Sequence, residues 1–407
     1  MSTSPAGRGS LAAVRPPRQR HDILILSARY GEGHWQAGAA VREALGDAGN
    51  PLMLDYIEMA NPALNRTARR VYIASIKHFP RGYGWFYRKT SALPPYSRFN
   101  NLVNGLGRER LADLIADVQP AVVVSTFPVQ AGVLSELRRA GRARVPAVTV
   151  ITDNTVHSQW VHPHTDLYCV SSEEVADLLL RRGVPPSRVA VTGIPLRGTF
   201  ARRGDGAEIR RRYRFDPSLP IALVMSGAFG ALGGVLEACR TLTHLGVPLQ
   251  LVVVAGKDKQ LLARLQRMGG HLPFPVHTFG YVEQIADFMS AASLLVTKAG
   301  GVTTAEALAL GLPMVIYRAI PGQEEANAAY LCRHGAAISA RHHGELGEAC
   351  RGLLAAPARL RGMGLAAARL GRPHASADVA AMVLRMAGEP ERPGGHGPRP
   401  GPSGAGA

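Results

Sequence analysis

The residues whose spacing carries the most chemistry lie between Thr297 and Leu331, TKAGGVTTAEALALGLPMVIYRAIPGQEEANAAYL. Gly300-Gly301 removes Cβ atoms where the backbone must approach a ligand, and Thr303, Thr304 and Glu306 are expected in the first turn of the following helix. A helix start offers unpaired N–H groups to an anion. Leu312 to Tyr317 reads as a short buried strand, and Pro321-Gly322-Gln323-Glu324-Glu325 turns into a second helix carrying Asn327. The strand, loop and helix unit thus recurs within 35 residues, which suits a nucleotide. Two common nucleotide sites are excluded. No Gly-Lys-Ser/Thr occurs anywhere, so this is not a P-loop, and Gln36 stands where a dinucleotide fingerprint begun by Gly31 and Gly33 needs its third glycine.

The run resembles the donor-nucleotide signature of the glycosyltransferase superfamily containing plant monogalactosyldiacylglycerol synthases, bacterial processive diacylglycerol glucosyltransferases and the peptidoglycan enzyme MurG. Gly-Gly-x-Thr-x-x-Glu (Gly300, Gly301, Thr303, Glu306) followed by Pro-Gly-Gln-Glu-x-x-Asn (Gln323, Glu324, Asn327) carries the likeness. It implies that Glu306 holds the ribose and that Gln323, Glu324 and Asn327 face the donor sugar. Small residues and free amides in Met225-Ser226-Gly227-Ala228-Phe229-Gly230 suit a diphosphate, and the resemblance gives Gly227 and Gly230 that contact. It also implies that Val282, in Gly280-Tyr281-Val282-Glu283, meets uracil through its backbone. No two Asp residues lie at i and i+2, so the Asp-x-Asp that clamps a metal on a diphosphate elsewhere among glycosyltransferases is missing. A metal-free site is expected, with helix N-termini, loop amides and Lys298 stabilising the departing nucleotide. Inverting stereochemistry is what the resemblance implies. No cofactor is expected, the UDP-sugar being a co-substrate.

An acceptor hydroxyl needs a base as it attacks the anomeric carbon, and two loops offer one. Ser27-Ala-Arg-Tyr-Gly-Glu-Gly-His34-Trp35 resembles the family's Gly-Gly-Gly-His loop, whose histidine is a candidate catalytic base, with Glu32 here in place of the middle glycine. Thr152-Asp153-Asn154-Thr155-Val156-His157-Ser158-Gln159-Trp160 resembles its Thr-Asp-x-x-x-His-x-x-Trp stretch near the acceptor, which adds His157 and Trp160. Asp153 is the rival to His34, although Asp at a strand end is also a common turn former.

These loops need parallel strands to position them. Near-continuous apolar runs at Asp22–Ser27, Pro51–Asp55, Ala121–Ser125, Ala147–Ile151 and Leu167–Val170 alternate with helical patterns such as Trp35–Leu45. The same grammar restarts at Pro220–Ser226 and continues through Leu249–Ala255, Val276–Phe279, Leu294–Thr297 and Pro313–Tyr317. The expected fold class is α/β, two Rossmann-like domains facing a cleft, the GT-B glycosyltransferase architecture that the resemblance implies. The expected division is a disordered N-terminus (1–20), an acceptor and membrane-binding domain (21–193), an Arg- and Gly-rich linker (194–214), a UDP-sugar-binding domain (215–372), a helix returning to the first domain (373–387) and a disordered tail (388–407). Ligands bind beyond the carboxyl ends of parallel strands, so the loops after Ser27, Ile151, Ser226 and Thr297 should converge.

The 407 residues are enough for two cores, and a net charge of +17 calls for an anionic partner. Residues 61–100 concentrate eight Lys/Arg, among them Arg69 and Arg70, with no Asp or Glu, and eight of the 24 aromatics, including Tyr83, Trp85 and Phe86. Leu64, Ala68, Val71, Tyr72, Ser75, Ile76 and Phe79 fall at helical spacing, as for a helix lying in an anionic membrane surface. A solvated helix face packed on the core has the same spacing. No nucleic-acid motif accompanies the strip, so no nucleic-acid partner is expected. Four widely spaced cysteines indicate neither zinc nor a disulfide framework. The first twenty residues lack the apolar core of a signal peptide and no run of about 18 apolar residues exists, so peripheral attachment at the cytoplasmic face of the cell membrane is expected. The expected activity is transfer of a hexose from UDP-glucose or UDP-galactose to diacylglycerol or a related lipid. MurG-like transfer to a polyprenyl-linked acceptor, a UDP-sugar 2-epimerase of the same architecture, and a lipid-binding module with a vestigial nucleotide site are the alternatives.

Overall fold

The computed structural model of the protein describes residues 22–30, 32–60, 71, 75, 79–91, 97, 105, 107–227, 232, 234–268 and 274–388. The expected disordered ends, Gly230, Arg69, Arg70 and most of the 64–79 stripe lie outside the described residues.

Two six-stranded sheets form, and every recorded strand pair is parallel. The first comprises β1 (Ile23–Ser27), β2 (Pro51–Asp55), β3 (Val122–Ser125), β4 (Ala147–Val150), β5 (Leu167–Val170) and β6 (Val189–Val191), in the order β2-β1-β3-β4-β5-β6. The second comprises β7 (Ile221–Met225), β8 (Gln250–Val254), β9 (Val276–Phe279), β10 (Leu294–Thr297), β11 (Met314–Tyr317) and β12 (Ala337–Ala340), in the order β12-β11-β10-β7-β8-β9. Strand order therefore reverses between β1 and β3 in one sheet and between β7 and β10 in the other. Loops leaving the strands at such a switch point diverge to opposite faces and open a crevice. The loops bearing His34, Gly227 and Gly300 all leave these four strands.

The apolar runs form buried strands because successive side chains feed opposite faces. Ile23 and Ile25 enter a core with Val41, Val122 and Val124, whereas Leu24 and Leu26 enter another with Leu111, Val133 and Leu137. In the second sheet Ile221 and Leu223 pack with Leu295 and Ile316, and Ala222 and Val224 with Val253 and Val296. The helix Ala375–Met386 puts Val379, Ala380, Val383 and Leu384 into the core with Ile23 and Val41, so the end of the described chain packs on the first sheet. Burying a Val or Leu side chain fully contributes about 1.5–3 kcal/mol, enough to hold this return.

The structure departs from the sequence reading in three places. β6 and β12 were not expected; each is an edge strand with partly exposed residues, which breaks the apolar run. The 194–214 segment contains a helix at Gly206–Tyr213 and buries Ile194, Leu196, Phe200 and Ile209 in the core of the second sheet. Helix Gly301–Ala309 places Thr303 and Thr304 in its first turn and Glu306 in its second.

Candidate functional site

A cavity of about 200 Å³ lies between the sheets, and its walls include Gly33, Gly227, Val282, Lys298, Gly300, Gly301, Thr303 and Glu306. Gly300 is the N-cap of helix Gly301–Ala309, and the first intrahelical bond runs from Thr304 N–H to Gly300 C=O. The N–H groups of Gly301, Val302 and Thr303 precede that bond and form the positive end of the helix. Gly227 has φ +76, and a Cβ there would meet Lys298 Cε at 3.3 Å. Glycine thus brings the β7 loop against the Lys298 chain. Glu306 is pushed up to about 8 by burial, with Arg197 opposing the shift. A diol that donates hydrogen bonds to this carboxylate would favour its ionised form.

The two sheets meet at this helix start. A Cβ on Gly301 would stand 1.8 Å from the Thr152 carbonyl oxygen, so only glycine permits the observed approach. Asn327 is fully buried, and its side chain donates to Asp153 Oδ1 (3.0 Å) and Ala299 C=O (3.0 Å) and accepts from Asn154 N–H (2.7 Å). Asp153 is buried with it, and its carboxyl is pushed up to about 6 by burial above all, with the Asn327 bond opposing. Lys298 pairs with Glu324, which also accepts from Ile320 N–H at 3.2 Å. Asn327 and Glu324, expected to face a sugar, are therefore engaged by protein partners, and Gln323 accepts a 3.2 Å bond from Tyr83 OH.

His34 is the second residue of helix Gly33–Leu45. Its Nδ1 lies 2.9 Å from Thr152 Oγ1, and its ring centroid stands 5.0 Å from that of Phe127 and 6.0 Å from that of Trp160. Burial pushes the imidazole down to about 4, so it is neutral at pH 7. Trp160 is buried and walls this ring. His157 lies beneath helix Pro80–Ser91, with Nδ1 accepting from Gln159 N–H (3.2 Å), Nε2 3.2 Å from Thr90 Oγ1 and its ring 4.7 Å from Tyr87. It is buried against that helix.

Several site residues have partners that sequence reading did not foresee, because those partners lie far away in the chain. Glu32, at φ +67, pairs with Lys257 at 2.8 Å, tying the first β-α loop to the loop after β8. Arg197 lines the cavity and donates to Gln36 Oε1 at 2.6 Å. Thr152 and Thr90 hold the two histidines.

The buried titratable groups set a pH profile for the donor-free protein. His34, His157 and His162 are each lowered from 6.5 to about 4 by burial. Their unfolded forms bind protons near 6.5, so the stability they support is lost as pH falls from 6.5 towards 4. Asp153 and Glu306 act in the opposite sense: their unfolded forms lose protons near 3.8 and 4.5 while the folded forms keep them up to about 6 and about 8, so stability falls as pH rises between those limits, ending for Asp153 at about 6 and for Glu306 at about 8. Urea midpoints should peak between about pH 6 and 7, and Glu306→Gln should flatten the alkaline side. A midpoint that rises steadily to pH 8 would contradict the assignment.

Known proteins share the sequence and the fold of this chain. A family model described as monogalactosyldiacylglycerol (MGDG) synthase matches residues 34–196, and one described as glycosyltransferase family 28 C-terminal domain matches residues 222–350. A processive diacylglycerol beta-glucosyltransferase of Bacillus licheniformis is 34% identical over 344 residues, covering 84% of this chain and 89% of the relative. Among solved structures, MurG of Acinetobacter baumannii superposes with a TM-score of 0.60 at 15% identity, covering 90% of this chain and all of that one. UDP-GlcNAc 2-epimerase of Neisseria meningitidis does so at 0.59 and 12% identity, covering 89% and 99%. The fold is thus shared by transferases and epimerases, and the sequence relationship makes the finer distinction. The chain belongs to the family of processive diacylglycerol glucosyltransferases and monogalactosyldiacylglycerol synthases, with two Rossmann-like domains in the GT-B arrangement.

Proposed function

We propose that the protein transfers a hexose from a UDP-sugar to the hydroxyl of diacylglycerol, working as a peripheral enzyme on an anionic membrane surface. The observation that carries this is one cavity lined by Lys298, Gly300, Gly301, Thr303 and Glu306 from the second domain and by Gly33, the residue before His34, from the first. In this reading Val282 takes the uracil, Glu306 accepts from the ribose hydroxyls, and Gly227 and the helix start at Gly301 hold the diphosphate. Gly230, to which the resemblance gives the same contact, lies outside the described residues. Lys298 exchanges part of its pairing with Glu324 for the phosphate oxygens.

The proposal takes the tautomer that carries its proton on His34 Nδ1, 2.9 Å from Thr152 Oγ1, which leaves Nε2 a lone pair for the acceptor proton. The acceptor oxygen bonds to the anomeric carbon as the bond from that carbon to the phosphate oxygen breaks, and the pair leaves on UDP. A single displacement inverts the centre. Helix amides and Lys298 stabilise the negative charge that develops on the leaving group.

The lipid side rests on helix Pro80–Ser91. Tyr83, Gly84, Tyr87 and Thr90 face inward, whereas Trp85 and Phe86 are 59% and 47% exposed, beside exposed Arg88 and Lys89. Phe79 and Val71 add exposures of 69% and 62%. This is the composition of an interfacial helix, apolar rings to the acyl boundary and cations to headgroups. Among the described residues no helix is long and apolar enough to cross a membrane. The cytoplasmic face of the cell membrane is the working side in this proposal.

The curated relative's name favours glucose, and the first family model's name favours galactose. Labelled UDP-glucose and UDP-galactose should each be offered with phosphatidylglycerol vesicles containing diacylglycerol. A labelled glycolipid is expected from one donor, with less product and less vesicle-bound protein after Trp85→Ser/Phe86→Ser. No glycolipid from either donor would overturn the proposal.

A further inference from the structure

The exposed aromatic helix Pro80–Ser91 also touches the donor half. Gly84 is buried, and a Cβ there would stand 2.4 Å from Pro321 Cβ. Gly322 has φ +108, and a Cβ on it would meet Tyr87 Cγ at 2.9 Å. Two glycines, one on each partner, therefore let the helix lie directly on the Pro321-Gly322 turn. The other end of the same face is fixed to the first domain, where Thr90 lies 3.2 Å from His157 Nε2 and Ser158 Oγ donates to Thr90 C=O at 2.9 Å. Between these anchors Tyr83 OH donates to Gln323 Oε1 at 3.2 Å.

We infer that Tyr83 is a positioning residue for the donor sugar. This rests on the proposed function, in which Gln323 faces the hexose. A glutamine amide at the start of a helix can rotate, and its oxygen and NH2 are chemically opposite ends. The Tyr83 hydroxyl fixes the oxygen, which leaves the NH2 end to donate to a sugar hydroxyl. The inference joins the two halves of the enzyme: the sugar end of the donor site is completed by a residue of the N-terminal domain, from the back of the helix that exposes Trp85 and Phe86.

The test compares UDP with UDP-hexose, because UDP lacks the group Gln323 would hold. Tyr83→Phe removes one hydroxyl and should weaken UDP-hexose binding by about fivefold, with UDP affinity unchanged by calorimetry. Gln323→Ala should weaken UDP-hexose at least as much, and adding Tyr83→Phe to it should cost nothing further. Unchanged UDP affinity also reports an intact fold. Wild-type affinity of Tyr83→Phe for UDP-hexose would overturn the role, as would equal weakening for UDP and UDP-hexose, since that would mark a merely structural contact. If the wild-type protein binds UDP but neither UDP-glucose nor UDP-galactose, the underlying donor reading fails, and this role with it.

Discussion

A His34→Ala protein is expected to bind UDP-hexose as the wild type does and to transfer its sugar roughly a thousandfold more slowly, the scale of losing a positioned general base. The imidazole is half-buried, oriented through Thr152 and walled by Phe127 and Trp160, and burial keeps it neutral. Asp153 is differently placed. Its Oδ1 accepts from Asn327, and the surrounding loop is fastened to the second domain by the bond from Asn154 N–H to Asn327. A carboxylate so engaged closes the domains, and Asp153→Asn should lower kcat by no more than about tenfold. The acid limb of kcat, measured with the donor saturating so that the titration of Glu306 does not enter, separates the two as well. It should fall near the value of about 4 held by His34 and not near the value of about 6 held by Asp153. A thousandfold loss in Asp153→Asn with His34→Ala nearly intact would exchange the roles.

Glu306→Ala should weaken UDP-glucose by about a hundredfold, since two charge-assisted hydrogen bonds to a ribose diol are lost together. The free carboxyl sits at about 8 because of burial, whereas a bound diol stabilises the carboxylate. Binding therefore releases a proton, and affinity should rise with pH until about 8. UDP-glucose is the proper probe, because its diphosphate diester has no protonation step in that range. Glu306→Gln keeps the shape, loses the charge, and should abolish the pH dependence with an intermediate affinity. Undiminished binding by Glu306→Ala would remove this residue from the ribose site.

Much of the donor half is legible in the chain because its groups are contiguous. A strand end, a glycine pair and a helix start lie within a few residues, so Lys298, Gly300, Gly301, Thr303 and Glu306 reach one cavity without help from distant sequence. The paired glycines are readable too, but what Gly301 accommodates, the Thr152 carbonyl, is not. The edge strands β6 and β12 escaped because partial exposure interrupts the hydrophobic signal. The 194–214 segment reads as a linker from its Arg and Gly, whereas Phe200 and Ile209 are anchors in a core formed elsewhere. The stripe at 64–79 lies almost wholly outside the described residues, and the exposed aromatics are clearest on the next helix, where Trp85 and Phe86 alternate with inward residues in a period the sequence already contains.

The sequence by itself determined that two series of buried parallel strands exist, that a strand of the second leads through a glycine pair into a helix start, and that a basic, aromatic strip precedes Asn100. These follow from local periodicity and from backbone groups exposed at helix starts, which neighbouring residues control. Only the tertiary structure decided which residues face one another across the cleft. Tyr83 and Gln323 are 240 positions apart, Glu32 and Lys257 225, and Asp153 and Asn327 174. Their pairing depends on how two separately wound sheets are brought together, at Gly301 and along the return helix Ala375–Met386. No short-range pattern encodes that placement, because the energy that fixes it is spread over the packed surfaces of both domains.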